Sequence, residues 1–232
     1  NVELCEKEPL KCYEDNVALT ELLLNVSHGL DCSFVFISST GVYGQDKSEP
    51  YHEYEPPLPT THHHRSKLLA EDIVLRSTFR SMVVRTGWLF GGEINSPKNF
   101  VINRLKDMKK SDGELFSNNN QVGNPTWVND VSKQIFTLLD MKACGVFNCV
   151  NSGVASRYEY VAEIARLSGM DVKVSPVGSD GFKRVAKVSN NESAVNAKMC
   201  IYGLEDMPNW KSSLSDYFKS CKVEIDRIIF EN

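Results

Sequence analysis

Residues 33–44 read SFVFISSTGVYG, and residues 61–71 read THHHRSKLLAE. The first run holds four consecutive apolar residues with no polar alternation. That is the pattern of a strand buried on both faces of a parallel sheet, and it predicts a strand over Ser33–Ser38. From Gly44 to Thr61 the chain carries Asp46, Pro50, Pro56, Pro57 and Pro59, and reads as a loop. Thr60 or Thr61 then caps a helix over roughly 62–78. In it Leu69–Ile73 and Ala70–Val74 are i,i+4 pairs on an inner face. A buried strand, a loop and a helix in that order form the repeating unit of an α/β fold.

Outward from this stretch the same alternation continues. Glu8–His28 reads as a helix, with Pro9 in its first turn and Gly29 as its terminator. Its apolar face is expected to be Val17, Leu22 with Leu23 or Leu24, and Val26. Ser81–Phe90, SMVVRTGWLF, reads as a second buried strand closed by Gly91 and Gly92. A helix over about 98–110, a short strand at Leu115–Phe116 and a polar turn, SNNNQVGNPT, follow. Asn129 is expected to cap a helix running to about Met141. Gly145–Val150 reads as a strand, Arg157–Ser168 as a helix ended by Gly169, and Val172–Val177 as a strand. Residues 179–198 give no pattern, and Leu214–Ile229 reads as one helix or two. Short apolar strands between helices predict an α/β fold with a mainly parallel, Rossmann-like sheet in one compact unit.

The composition excludes several classes. With 232 residues, 41% of them hydrophobic, the chain can bury a large core. No apolar run of about 18 residues exists, so no transmembrane helix is expected. A net charge of −4 gives no basic footprint for nucleic acid or a membrane surface. The seven cysteines include no CxxC pair, which predicts packed, reduced thiols in a cytoplasmic protein rather than a zinc cluster. His62, His63 and His64 point about 100° apart on a helix, so they cannot converge on one ion, and no metal site is expected from them.

Several ordered motifs carry a family resemblance. Ser38-Ser39-Thr40-Gly41-Val42-Tyr43-Gly44 resembles the SSxxVYG signature of extended short-chain dehydrogenases/reductases, and Ser66-Lys67 followed by Leu68-Leu69-Ala70-Glu71 resembles their YxxSK helix. More narrowly, the chain resembles the dTDP-4-dehydrorhamnose reductases. Asn1-Val2-Glu3-Leu4-Cys5-Glu6 is similar to that family's NVDxxE turn. Tyr13, Asn16-Val17 and Thr20 match its YxxNVxxT helix. Pro50-Tyr51 and Glu55-Pro56-Pro57 match its proline-rich loop, and Arg85–Gly91 its RTSWLYG strand end. Asn99-Phe100-Val101, the run Gln121–Thr126 with Asp130, then Gly145–Asn148 and Tyr158-Glu159, follow its remaining blocks in order.

That resemblance implies a dinucleotide-binding part, mainly 1–94 and 126–151, and a substrate lobe, mainly 95–125 and 152–232. It implies NADP or NAD as cofactor, a nucleotide-linked 4-keto-6-deoxy sugar as substrate, reduction at C4, and room for a homodimer. Ser39 would hydrogen-bond the carbonyl oxygen, and Lys67 would hold the cofactor ribose, with Ser38 and Thr86 also on the cofactor side. Trp88, Asn99 and Gln121 would meet the substrate, the loop Gln121–Thr126 lining its cleft. Arg85, Asp130 and Asn16 are expected to be structural.

Two departures from the family pattern stand out. The family opens on a glycine-rich turn that receives the cofactor pyrophosphate, and no such turn occurs here. A segment of roughly 60 residues is therefore expected to precede Asn1 in a complete dinucleotide fold. The family's catalytic tyrosine lies four residues before the lysine, where this chain has His63. The family's nucleotide-phosphate ARP motif falls on Lys183-Arg184-Val185-Ala186-Lys187, which reads as a solvated loop. The alternative to a reductase is a non-catalytic cofactor- or sugar-nucleotide-binding protein on the same scaffold, as in the regulatory β subunit of methionine adenosyltransferase.

Overall fold

The computed structural model describes residues 1–30, 32–44, 47–77, 80–181 and 184–230. Asp46, Lys183 and the expected helix end at 78 lie outside the described residues. Three parallel strands make the central sheet: β1 (Phe34–Ser39), β2 (Ser81–Thr86) and β7 (Gly145–Cys149), in the order β1-β2-β7. Every residue of β2 is buried. Its side chains alternate between two cores, as the pleat requires. Val83 packs with Leu24, Phe36, Ala70 and Val74. Met82 and Val84 pack with Val131, Leu138 and Phe147.

The first core is covered by α3 (Leu19–Gly29) and α4 (His62–Ser77). Thr61 caps α4, its Oγ1 accepting the backbone N–H of His64 at 3.2 Å. The inner face is only half as expected: Ala70 and Val74 are fully buried, whereas Leu69 faces solvent. The second core is covered by α6 (Val128–Asp140) and α8 (Ala197–Ile201), a short helix that begins at the end of the unpatterned segment 179–198.

The expected helix over Glu8–His28 is several pieces. Helix α1 (Val2–Lys7) forms where a turn was expected, with Asn1 as its cap. Glu8 breaks the helical run, and Pro9 starts α2 (Pro9–Tyr13). A π-helical turn at Glu14–Ala18 then leads into α3. That turn rotates the register, so the inward residues of α3 are Thr20, Leu24 and Ser27, while Leu22, Leu23 and Val26 are exposed.

The expected strand over Ser81–Phe90 is also two. The chain leaves the central sheet at Gly87, where a side chain would strike the Asn124 carbonyl, and β3 (Trp88–Phe90) pairs with β6 (Pro125–Trp127) instead. Helix α5 (Phe100–Lys110) starts from an Asn99 cap. Strand β4 (Glu114–Asn118) pairs in parallel with β9 (Lys173–Val177), and β5 (Val122–Gly123) pairs with β8 (Ala155–Ser156). Asn129 is no cap: α6 begins one residue earlier, after Trp127. Helix α7 (Arg157–Ser168) opens on a full capping box, Ser156 with Glu159, and ends on left-handed Gly169. The chain closes with α9 (Trp210–Ser220) and α10 (Lys222–Phe230).

These later elements share a third core. Trp88, Phe90, Ile102, Leu105, Tyr160, Ile164, Trp210 and Leu214 are buried together there. The groove described below lies between α5, the β4–β5 turn and α7. Among the described residues, no helix is long and apolar enough to cross a membrane.

Candidate functional site

The carboxyl end of β1 runs into a tight turn, Thr40–Val42. Ser39 caps that turn, its Oγ accepting the Gly41 N–H at 3.1 Å. Gly41 has no side chain because the His64 ring occupies the space one would need. His64 is itself fixed by Thr61 Oγ1, 3.1 Å from its Nδ1. Lys67, on the same helix, donates from Nζ to the Ile37 carbonyl at 3.0 Å and lies 4.7 Å from the centre of the Phe36 ring. Burial lowers its pKa below the ordinary lysine value. Ser39 thus sits at the carboxyl end of β1, and Lys67 packs over the middle of the same strand, at Phe36 and Ile37.

The three histidines face different partners, although the His63 and His64 rings meet edge-on with centroids 5.1 Å apart. His62 meets Tyr13 edge-on, and His64 faces Thr61 and Gly41. His63 turns its Nδ1 to Cys5 Sγ at 3.8 Å. Burial pushes the His63 pKa down to about 3, with the positive charges of His64 and Lys67 acting in the same direction. That leaves His63 a neutral imidazole at neutral pH.

Behind this end of the sheet lies a buried ion pair. Arg85 reaches Glu71 through Nη2 at 2.6 Å and through Nε at 3.1 and 3.2 Å. Ser38 donates its hydroxyl to the same carboxylate. Thr86 donates its hydroxyl to the Ser38 carbonyl at 3.2 Å. Both hydroxyl protons expected on the cofactor side are therefore engaged inside the fold. Asn99 is likewise engaged, as the α5 cap and as donor to the Glu93 carbonyl and the Tyr217 hydroxyl. Asp130 accepts from Asn151 at 2.8 Å and Ser213 at 2.6 Å, a structural bridge to α9.

Trp88 and Gln121 lead to a groove. The indole Nε1 of Trp88 donates to Glu192 at 2.8 Å, and its ring packs on Gly123. The Arg157 guanidinium lies 3.4 Å from the centre of that ring. The groove is lined by Phe100, Phe116, Asn118, Gln121 and three arginines, Arg104, Arg157 and Arg184. Burial lowers the Arg157 pKa to about 10; Glu192 opposes that shift, while Arg184 and Arg104 add to it. A guanidinium still keeps its proton at neutral pH. Three cations and a pair of aromatic rings around one opening suit an anionic, planar ligand.

Arg104 and Arg157 were not singled out from the sequence. A signal for Arg157 exists: it is the first residue of α7, where the helix dipole disfavours a cation. A positive charge held there against that field has another partner to serve. Arg184 belongs to the stretch read as solvated, yet it lines the groove.

Comparison with known proteins identifies the family. The RmlD substrate binding domain family matches residues 1–223. The spore coat polysaccharide biosynthesis protein SpsK of Bacillus subtilis is 27% identical over 94% of this chain and 75% of its own length. The dTDP-4-dehydrorhamnose reductase of Mycolicibacterium smegmatis is 28% identical over 93% of this chain, which spans 66% of that relative. The crystal structure of the Bacillus anthracis dTDP-4-dehydrorhamnose reductase in complex with NADP superposes with a TM-score of 0.89 at 27% identity, covering 95% of this chain and 77% of that one. The Rossmann-like sheet, the site at its carboxyl end and the match over nearly the whole length lead to one conclusion: the chain belongs to the RmlD substrate binding domain family.

Proposed function

We propose that this chain binds a nucleotide-linked 4-keto-6-deoxy sugar and presents it for reduction in the manner of a dTDP-4-dehydrorhamnose reductase. The observation that carries this reading is the groove with Arg104, Arg157 and Arg184 around Phe100, Phe116 and Gln121. Its cations suit a diphosphate and its rings a base or sugar face. In this reading residues 95–125 and 152–232 supply most of the substrate lobe. Ser39 orients the keto oxygen, and Lys67 holds the nicotinamide ribose. What supports that placement is that Ser39 ends β1 and Lys67 lies against the same strand, at the Ile37 carbonyl. The chain has no glycine-rich turn for the pyrophosphate. When bound, the nicotinamide supplies the hydride.

A second reading, binding without catalysis, is supported by the family motif, which puts His63 at the position of the tyrosine, and by its Nδ1 lying 3.8 Å from Cys5 Sγ. The two are separated by assaying the full-length protein for NADPH oxidation with a dTDP-4-keto-6-deoxy sugar. Turnover by wild type that His63→Ala abolishes supports a reductase in which His63 takes part. Turnover only in His63→Tyr supports binding without catalysis. No binding of the sugar nucleotide by any form sinks both readings.

A further inference from the structure

Helices α1 and α2 place two thiols over the helix that carries Lys67. Seven residues apart, Cys5 and Cys12 would lie about 10 Å apart along one face of an unbroken helix; here the chain breaks at Glu8 and Pro9, and both helices pack on α4. Cys5 Sγ, Cys12 Sγ and a ring nitrogen of His63 all lie within 4.8 Å of one another. The helical spacing of His62, His63 and His64 argues only against those three meeting at one ion. It does not bear on one histidine meeting two cysteines from other elements.

We propose that Cys5, Cys12 and His63 form a binding site for Zn²⁺. Two thiolates and an imidazole are a soft donor set that suits zinc and is wrong for Mg²⁺ or Ca²⁺, which take oxygen ligands. With Zn–S at about 2.3 Å and Zn–N at about 2.0 Å, a tetrahedral centre sets its ligand atoms about 3.6–3.8 Å apart. The Cys5–His63 separation is 3.8 Å, so bringing the third atom in from within 4.8 Å requires a side-chain adjustment and no refolding.

The outer layer also fits. Asn16 donates from Nδ2 to Cys12 Sγ at 3.5 Å and to Ser66 Oγ at 3.0 Å. Ser66 Oγ lies 3.3 Å from Cys12 Sγ and donates to the His63 carbonyl at 2.8 Å. An N–H aimed at a ligating sulfur is a second-layer contact of the kind that orients metal ligands; the Ser66 bond to the His63 carbonyl is the ordinary back-bond of a helical serine. Three protein ligands leave a fourth position for water or a substrate oxygen, as in sites that do chemistry rather than hold a fold. His63 and Lys67 are one helical turn apart, so the site lies on the face of α4 that also carries the family lysine. The rival use of the same atoms is a Cys5–Cys12 disulfide, which would remove two of the three ligands.

The test uses full-length protein, reduced and freed of metal, titrated with Co²⁺ and then Zn²⁺. One Co²⁺ per chain is expected, with sulfur-to-cobalt charge-transfer absorption that one equivalent of Zn²⁺ abolishes. Cys5→Ser and Cys12→Ser each remove that absorption, and His63→Ala weakens zinc binding at least tenfold. Cys144→Ser and Cys200→Ser, both exposed, leave it unchanged. X-ray absorption of the zinc-loaded wild type needs no variant to fold, and is expected to show two sulfur ligands and at least one nitrogen. The proposal is overturned if reduced wild type binds no Co²⁺ at equimolar ratio, if the absorption survives Cys5→Ser, or if the zinc has fewer than two sulfur ligands. It is overturned equally if the protein isolates with a Cys5–Cys12 disulfide and binds no metal after reduction. None of these readouts depends on NADPH or on turnover, so they are independent of the proposed function.

Discussion

Glu71→Gln tests the account of how the site end of the sheet is held. Glu71 is 1% exposed and Arg85 4%. Burial works against the guanidinium's charge, and the bonds to Glu71 outweigh it, holding the Arg85 pKa above its ordinary value. At the 2.6 Å contact the gross attraction is about 6 kcal/mol for an effective dielectric of about 20. Removing the negative charge leaves a buried guanidinium without a counter-ion, at a net cost of about 3–5 kcal/mol. The Gln amide also turns two donors toward donors. For a chain of this size that lowers the melting temperature by roughly 6–20 °C. Urea denaturation followed by circular dichroism measures the loss at unchanged m-value. The double variant Glu71→Leu with Arg85→Met recovers most of it, because an apolar pair of similar volume replaces both charges. A loss below about 1 kcal/mol, or a double variant as unstable as the sum of the singles, would refute the buried pair.

Other consequences follow from single contacts. Leu105→Ala opens a cavity in the third core, where Leu105 is fully buried, and lowers stability by about 2–5 kcal/mol in the same assay. Gly123→Ala drives a methyl group into the Trp88 ring; overpacking costs about 1–3 kcal/mol, and Trp88 fluorescence shifts as the ring moves from Arg157. If the full-length protein reduces a keto sugar, Ser39→Ala lowers kcat roughly 100-fold or more, the scale of removing one oxyanion donor, while sugar-nucleotide affinity stays within threefold or so. A Ser39→Ala enzyme with unchanged kcat would remove Ser39 from the reacting centre.

The central alternation of strand and helix was legible because β2 is buried on both faces and its sequence shows it, with no polar residue between Met82 and Val84. The α7 boundaries were legible because Ser156, Glu159 and Gly169 are local signals that do not depend on the rest of the chain. The inner face of α3 was not. Four apolar residues in five, Leu22 to Val26, leave the register open, and the π-helical turn before them fixes it. Nor was the break at Gly87 legible, since an unbroken apolar run hides a change of sheet that a distant carbonyl, Asn124, imposes. Ser39, His63 and Lys67 could be proposed from the sequence because the stretch from Ser33 to Glu71 carries all three. The groove could not, because Arg104, Arg157 and Arg184 are far apart in sequence and meet only in the folded chain. Cys5 and Cys12 belong to the same class: a seven-residue spacing puts them on one helix face but about 10 Å apart, and only the break at Glu8 and Pro9 lets the thiols meet.

The most direct test of the sugar-nucleotide reading is calorimetric binding of dTDP to the full-length protein, with Arg157→Ala and the exposed Arg184→Ala beside wild type. Loss of a charge-assisted contact to a phosphate is worth about 1.5–3 kcal/mol, or roughly 10- to 100-fold in affinity. The account predicts that wild type binds dTDP, that Arg157→Ala weakens it by that factor and Arg184→Ala by less, and that His63→Tyr leaves it unchanged. Absence of dTDP binding by wild type, or equal affinity in Arg157→Ala, would contradict it.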